Sequence, residues 1–177
     1  MKYLLLLFFT FSISLAQSPK RVIKKLGENP VFFIDSVNVD KDDLQKYDPN
    51  EISSVTVFKN KEAIALLGDD GKDGVIYIET KIFSRKRYWR YFASKSSEYK
   101  EHVNPTDDTN VQYILNDRVL VKDSSGDLAS IDDKIFKSIK FISKEELSKK
   151  YNIENKDFGF QILSETPKNL YHGNQKF

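Results

Sequence analysis

Cysteine is missing from all 177 residues, which excludes disulfide staples, thiolate zinc sites, a nucleophilic thiol and a lipid-bearing cysteine behind a signal peptide. Histidine is nearly as scarce. His102 and His172 stand 70 positions apart with no His-x-x-x-His spacing, so no zinc site is expected. Neither sign of charge prevails, because 28 basic residues face 26 acidic ones for a formal net charge of +2. No global field therefore steers the chain to nucleic acid. Long apolar runs are lacking too. The longest covers residues 3–15, is interrupted by Thr10, Ser12 and Ser14, and falls short of the roughly 18 to 20 residues that a spanning helix needs. No serine lies in a Gly-x-Ser-x-Gly turn, and no acid/base pair separates itself from the 26 carboxylates. Neither a catalytic constellation nor a cofactor is expected.

That short apolar run has a role of its own. Lys2 precedes it and Ser14-Leu15-Ala16 closes it with small residues at the two positions a signal peptidase reads. Residues 1–16 read as a cleaved signal peptide, with the mature chain starting at Gln17 and residing in the periplasm or on the periplasmic face of an outer membrane. The 161 residues that remain suffice for one ordinary domain or two small ones. Without disulfides, cohesion has to come from burying Phe, Ile, Val, Leu and Tyr, which favours β-rich packing.

The chain repeats itself. Ile52-Ser53-Ser54-Val55-Thr56-Val57-Phe58 aligns with Phe136-Lys137-Ser138-Ile139-Lys140-Phe141-Ile142 at a constant separation of 84 positions. Leu67 on Tyr151, Lys72-Asp73 on Lys156-Asp157 and Ile76-Tyr77-Ile78 on Phe160-Gln161-Ile162 keep the same 84. Upstream, Phe32-Phe33-Ile34-Asp35 aligns with Tyr113-Ile114-Leu115-Asn116 at 81, which calls for a three-residue insertion, expected as a longer loop around Ser124-Ser125-Gly126. A fixed period of this kind marks a repeated structural unit.

Each copy reads as a short strand, a turn at Asp35-Ser36 or Asn116-Asp117, a second short strand, a polar connector, a β-branched strand, a two-turn helix and a last strand. In the helices Ala63, Ile64 and Leu67, and Leu147 and Tyr151, share one stripe. Strand, helix and strand invite a parallel pair with a right-handed crossover, although the helix is short for one and the leading hairpin makes the sheet mixed. The expectation is an α+β fold of two divergent β-β-β-α-β copies, residues 31–81 and 111–164, each too small to be comfortable alone. A lead (17–30), a basic-aromatic, partly helical linker (82–110) and a polar tail (165–177) complete the chain.

With the first copy laid out, a resemblance emerges. Asp48-Pro49-Asn50-Glu51-Ile52 leads to a strand, Ala63-Ile64-Ala65-Leu66-Leu67-Gly68 follows, and Gly71-Lys72-Asp73-Gly74 turns into Val75-Ile76-Tyr77-Ile78-Glu79-Thr80. This series resembles the plug domain of TonB-dependent outer-membrane receptors in the version common among Bacteroidetes, with Phe33-Ile34-Asp35 where that family has its Ile-Asp-Gly hairpin. It covers residues 31–81; the second copy matches only through its alignment to the first. The family's energy-coupling box is not evident in residues 17–30, and the residues after the plug-like segment are too few for its barrel. The resemblance implies a free-standing plug-like module that binds an envelope protein, an outer-membrane component among the candidates.

Two local patterns carry candidate chemistry. The loop with Gly68, Gly71 and Gly74 presents backbone N–H groups to an anion, or supplies the turn that ends a helix. It follows a helix rather than opening one and no Lys-Ser/Thr pair comes after it, so the turn is the preferred reading. Asp69, Asp70 and Asp73 suggest calcium, but the twelfth position of an EF-hand starting at Asp69 is Thr80 rather than Glu. The second pattern is the linker, where Arg85, Arg87, Trp89 and Arg90 interleave cations with Tyr88, Tyr91 and Phe92. In an exported protein this suits an anionic membrane surface or an acidic partner, not nucleic acid. The alternative is an amphipathic helix whose aromatic side covers a sheet.

The function expected is therefore non-enzymatic protein interaction through edge strands or loops. The other reading is a small-ligand-binding protein or hydrolase that uses a cleft between the copies. Convergent carboxylates in a deep pocket would favour the latter, a flat exposed edge the former. Mature protein recovered from the native cell envelope is expected to begin at Gln17, read by N-terminal sequencing; recovery with Met1 intact would contradict export through a cleaved signal.

Overall fold

The computed structural model describes residues 26–121 and 124–166. The expected signal peptide (1–16), residues 17–25 of the lead and the tail from 167 lie outside the described residues. The first unit runs β1 (Val31–Ile34), β2 (Val37–Val39), β3 (Ile52–Phe58), α1 (Asn60–Leu67) and β4 (Val75–Thr80). Helices α2 (Lys81–Lys95) and α3 (Ser97–His102) follow. The second unit runs β5 (Val111–Leu115), β6 (Arg118–Val119), α4 (Ser125–Ala129), β7 (Phe136–Ile142), α5 (Lys144–Tyr151) and β8 (Phe158–Ser164).

Each unit is one four-stranded mixed sheet, ordered β2-β1-β4-β3 and β6-β5-β8-β7. The correspondence extends to single residues. Phe32 lies opposite Ile76 in the parallel β1–β4 pair, and Tyr113 opposite Phe160 in β5–β8. In the antiparallel pairs Val57 faces Ile76 and Phe141 faces Phe160, and the register slips once in each, between Ile52 and Ser54 and between Phe136 and Ser138. These are the separations of 81 and 84 read from the sequence. The α+β architecture of two similar small mixed-sheet units is thus what the fold contains.

The strand-helix-strand segment pairs differently from the parallel crossover that its order invites. β3 and β4, joined by α1, are antiparallel. An eight-residue helix rises only about 12 Å, roughly half the length of the seven-residue strand before it. The chain therefore re-enters the sheet at the end it left. The parallel partner of β4 is β1, reached through the long connection across the unit.

The same side-chain clasp closes both units. The hairpin turn holds Asp35 at φ 50° and Ser36 at φ 71°, a left-handed pair suited to a two-residue loop. From this turn the Asp35 carboxylate accepts the Thr80 N–H at 2.8 Å and the Thr80 hydroxyl at 2.7 Å. In the second unit the Asn116 side-chain oxygen accepts the Ser164 N–H at 3.0 Å. Entry to the first strand is tied down in parallel fashion: Asp73 accepts the Asn29 N–H at 3.1 Å, and the Asn110 amide donates to Asp157 at 3.1 Å. Lys72-Asp73 recurs as Lys156-Asp157 because its aspartate anchors the incoming chain.

The insertion expected as a loop is a helix, α4, although its Ser-Ser-Gly opening reads as turn chemistry. It connects the units, since a Cβ on Gly126 would come within 2.5 Å of the Ser53 carbonyl oxygen on β3. The two sheets remain separate and meet through α4 and α2.

The main apolar cluster belongs to the linker and the second unit together. Tyr88, Phe92, Tyr99 and Val103 pack with Tyr113, Leu115, Phe160 and Ile162 on one face of the second sheet, and Leu128, Ala129 and Ile131 join them. Tyr99 meets Phe160 edge-on with ring centroids 4.9 Å apart, the arrangement aromatic quadrupoles favour. On the other face Ile114, Ile142 and Leu147 form a smaller cluster with Val119, Tyr151 and Ile153. Replacing the fully buried Phe92 by Ala is expected to cost about 3–5 kcal/mol in urea unfolding, and residues 111–166 without α2 and α3 are expected to lose cooperative unfolding. A cooperative melt from that fragment would contradict the linker's place in the core.

Candidate interaction surface

Helix α2 begins where the side chain of Thr80 accepts the Phe83 N–H at 3.2 Å. Its aromatic stripe faces inward with Tyr88 and Phe92, and its cations divide. Arg85 Nε lies 3.0 Å from Asp108, while Arg87 donates to Glu79 at 2.7 Å. The Trp89 indole N–H donates to the Val103 carbonyl at 2.7 Å. Arg90 is exposed, and its Nε donates to the Lys86 carbonyl within the helix. Of the four residues singled out, Arg85 and Trp89 are bound into the fold, Arg87 is ion-paired yet exposed, and Arg90 faces solvent.

The glycine loop spends its amides internally. The Gly68 N–H caps α1 by donating to the Ile64 carbonyl, Lys72 N–H donates to Asp69 at 3.2 Å and Gly74 N–H to Gly71 at 2.9 Å. Gly68 has φ 62°, and Asn152 keeps the same place in the second unit at φ 56°, since asparagine tolerates the left-handed region. Gly71 is required by close approach: a Cβ there would lie 2.2 Å from the Ala63 carbonyl oxygen.

The three buried carboxylates among the described residues, Glu79, Asp108 and Asp127, are not distinguishable in the sequence. Glu79, in a strand that reads as alternating, is only 4% exposed. Arg87 and the Ser84 hydroxyl at 3.1 Å hold it, and Ser53 and Ser54 stand beside them. Such a charge persists in a low-dielectric setting only when compensated. Asp108 lies in a loop-like stretch, yet it accepts the Tyr88 hydroxyl at 2.5 Å and pairs with Arg85. Its partners sit some twenty residues upstream, so no local spacing announces it.

Asp108, Arg85 and Tyr88 also line an open cleft of about 630 Å³ between α2 and the second unit, with Gln112, Ser125 and Lys156 around it. Among the described residues Asp108 is the one carboxylate lining it, engaged by Arg85 and Tyr88, so these residues form no convergent carboxylate pair there. A second cleft of about 510 Å³ opens on the first unit beside the glycine loop. Among the described residues no group of His, Cys, Asp and Glu is clustered to hold a metal ion, and no helix is long and apolar enough to cross a membrane. Comparison of the chain with family models, with curated proteins and with solved structures gives no match.

The aromatic hydroxyls set a pH response. Burial, reinforced by the Asp108 charge, pushes the Tyr88 phenol well above its ordinary value of 10.0. Burial likewise raises Tyr99 and Tyr113, which share a hydrogen bond of 2.9 Å. In the unfolded chain these phenols ionise near pH 10 while in the fold they stay protonated. Their stabilisation is complete below that pH and is lost as pH rises above it, at up to about 1.4 kcal/mol per unit for each. Urea midpoints are expected to fall from pH 10 upward and to fall less steeply in Tyr88→Phe. Parallel slopes for the two proteins would contradict this.

Proposed function

We propose that this protein is a non-enzymatic interaction module of the cell envelope, exported to the periplasm or the periplasmic face of an outer membrane and plug-like in architecture. It accepts an extended segment of an envelope protein along a free sheet edge. The observation that carries this reading is the contrast between β3 and its counterpart β7, an outer strand in each sheet. β7 is guarded by Lys137 and Lys140, which reach Glu165 at 2.6 Å and Glu146 at 3.8 Å. β3 carries no charge and no proline over its seven residues, and Val55 is 52% exposed.

Uncharged edges are what natural sheets otherwise blunt. The start of β3 is closed by α4 at Ser53, which leaves residues 55–58 as the open stretch. A partner strand would gain main-chain hydrogen bonds there and specificity from alternate side chains. The engaged state of Arg85, Arg87 and Trp89 supports assigning α2 to packing rather than to a membrane or a nucleic acid.

The test is recovery of the tagged full chain from native envelope under mild crosslinking. One companion protein is expected to co-purify reproducibly, and Val55→Lys is expected to lower its yield at least tenfold without shifting the thermal midpoint. Absence of any reproducible companion, or equal yield from the variant, would overturn the proposal.

A further inference from the structure

The repeat permits a comparison inside one chain. In the second unit Ile114, Val119, Tyr151 and Ile153 belong to a closed apolar cluster with Leu147. At the separations of 81 and 84, their counterparts are Phe33, Asn38, Leu67 and Asp69, with Ala63 in place of Leu147. Where one copy has a filled core, the other has the 510 Å³ cleft lined by Val31, Phe33 and Leu67 with Asn38, Asp69 and Asp70 at its mouth. The volume is within the range of functional pockets, about 300–1,000 Å³.

The chemistry of the mouth selects what fits. The Asp73 carboxylate accepts the Asn29 N–H, while its backbone carbonyl accepts the Gly27 N–H. Asp69 and Asp70 are exposed and, among the described residues, their carboxylates have no hydrogen-bond or ion-pair partner. Among the described residues Lys72 is the one cation lining the cleft, against Asp69, Asp70 and Asp73, so the described lining of the mouth is net negative. An occupant matching this surface has an aliphatic stem for Val31, Phe33 and Leu67 and a positive end for Asp69 and Asp70. We infer that the cleft of the first unit seats a lysine side chain presented by the protein partner. This deepens the interaction-module reading and rests on it.

The probe is the peptide N-acetyl-Gly-Lys-Gly-amide, titrated into the mature chain at millimolar concentration and followed by NMR shifts of Val31, Phe33 and Leu67. Norleucine and glutamate replacements of its lysine serve as controls. The lysine peptide is expected to saturate and to bind at least fivefold tighter than either control. Filling the cleft with the second unit's residues, Asn38→Val with Leu67→Tyr and Asp69→Ile, is expected to abolish the response. Asp69→Asn with Asp70→Asn, which keeps the volume, is expected to erase the preference for lysine over norleucine.

No saturable shift at these residues, no preference over norleucine, or an unchanged response in the folded filled variant would each overturn the inference. Free butylamine binding as tightly as the peptide would make this a small-amine site and overturn the docking of a partner. Loss of lysine binding with the Val55-dependent companion retained would sink this inference alone; the reverse would sink the edge reading alone.

Discussion

The pairing of β1 with β4, and of β5 with β8, fixes everything else in this protein. These are the only parallel pairs among the described residues, and parallel neighbours have no hairpin to hold their register. A side chain does it instead. Asp35 reaches from the left-handed turn to the end of β4, and Asn116 makes the matching contact to Ser164. Because side chains alternate along a strand, a slip of one residue would turn Phe32 and Ile34 outward. Asp35 accepts two hydrogen bonds and Asn116 accepts one from the equivalent residue, so the contact survives the exchange of carboxylate for carboxamide.

Given that register, the units diverge in what they bury. Helices α2 and α3 lie on the second sheet, where Tyr88, Phe92 and Tyr99 join Phe160 and Tyr113 in an aromatic core. Such rings contribute large buried areas, which a chain without disulfides needs. The polar groups brought along are compensated in pairs: Tyr88 and Arg85 by Asp108, Arg87 by Glu79. The first unit keeps a leaner core around Phe32, Ile34, Ala63, Val75 and Ile76. Its uncharged edge and its unfilled cleft both follow from substitutions at positions that the second unit reserves for lysine or for aliphatic packing.

The repeat, the element order and the mixed sheets were legible because a constant spacing of apolar residues survives divergence even where identities do not. The residue-by-residue correspondence of the copies could be read as well, since Ile76 and Phe160 needed only the separation of 84 to be matched. Strand direction around α1 was not, because helix length against strand length decides it and composition does not. Helix α4 was hidden by Ser124, Ser125 and Gly126, which favour turns locally and become helical through contact with β3. The basic-aromatic segment was visible, but its meaning depended on Asp108 and Glu79, whose proximity is a property of the fold. The cleft needed both copies in three dimensions, since Ala63 or Asn38 alone carries no signal.

The central claim is that one repeated register carries a closed copy and an open one. Native-state hydrogen exchange tests it most directly, since amides in well-packed strands exchange only through global unfolding and those in thinner regions open locally. Amides of Tyr113, Ile114, Phe160 and Ile162 should exchange at the global limit, with those of Phe33, Val57 and Tyr77 measurably faster. Equal protection in the two sheets, or slower exchange in the first, would contradict it.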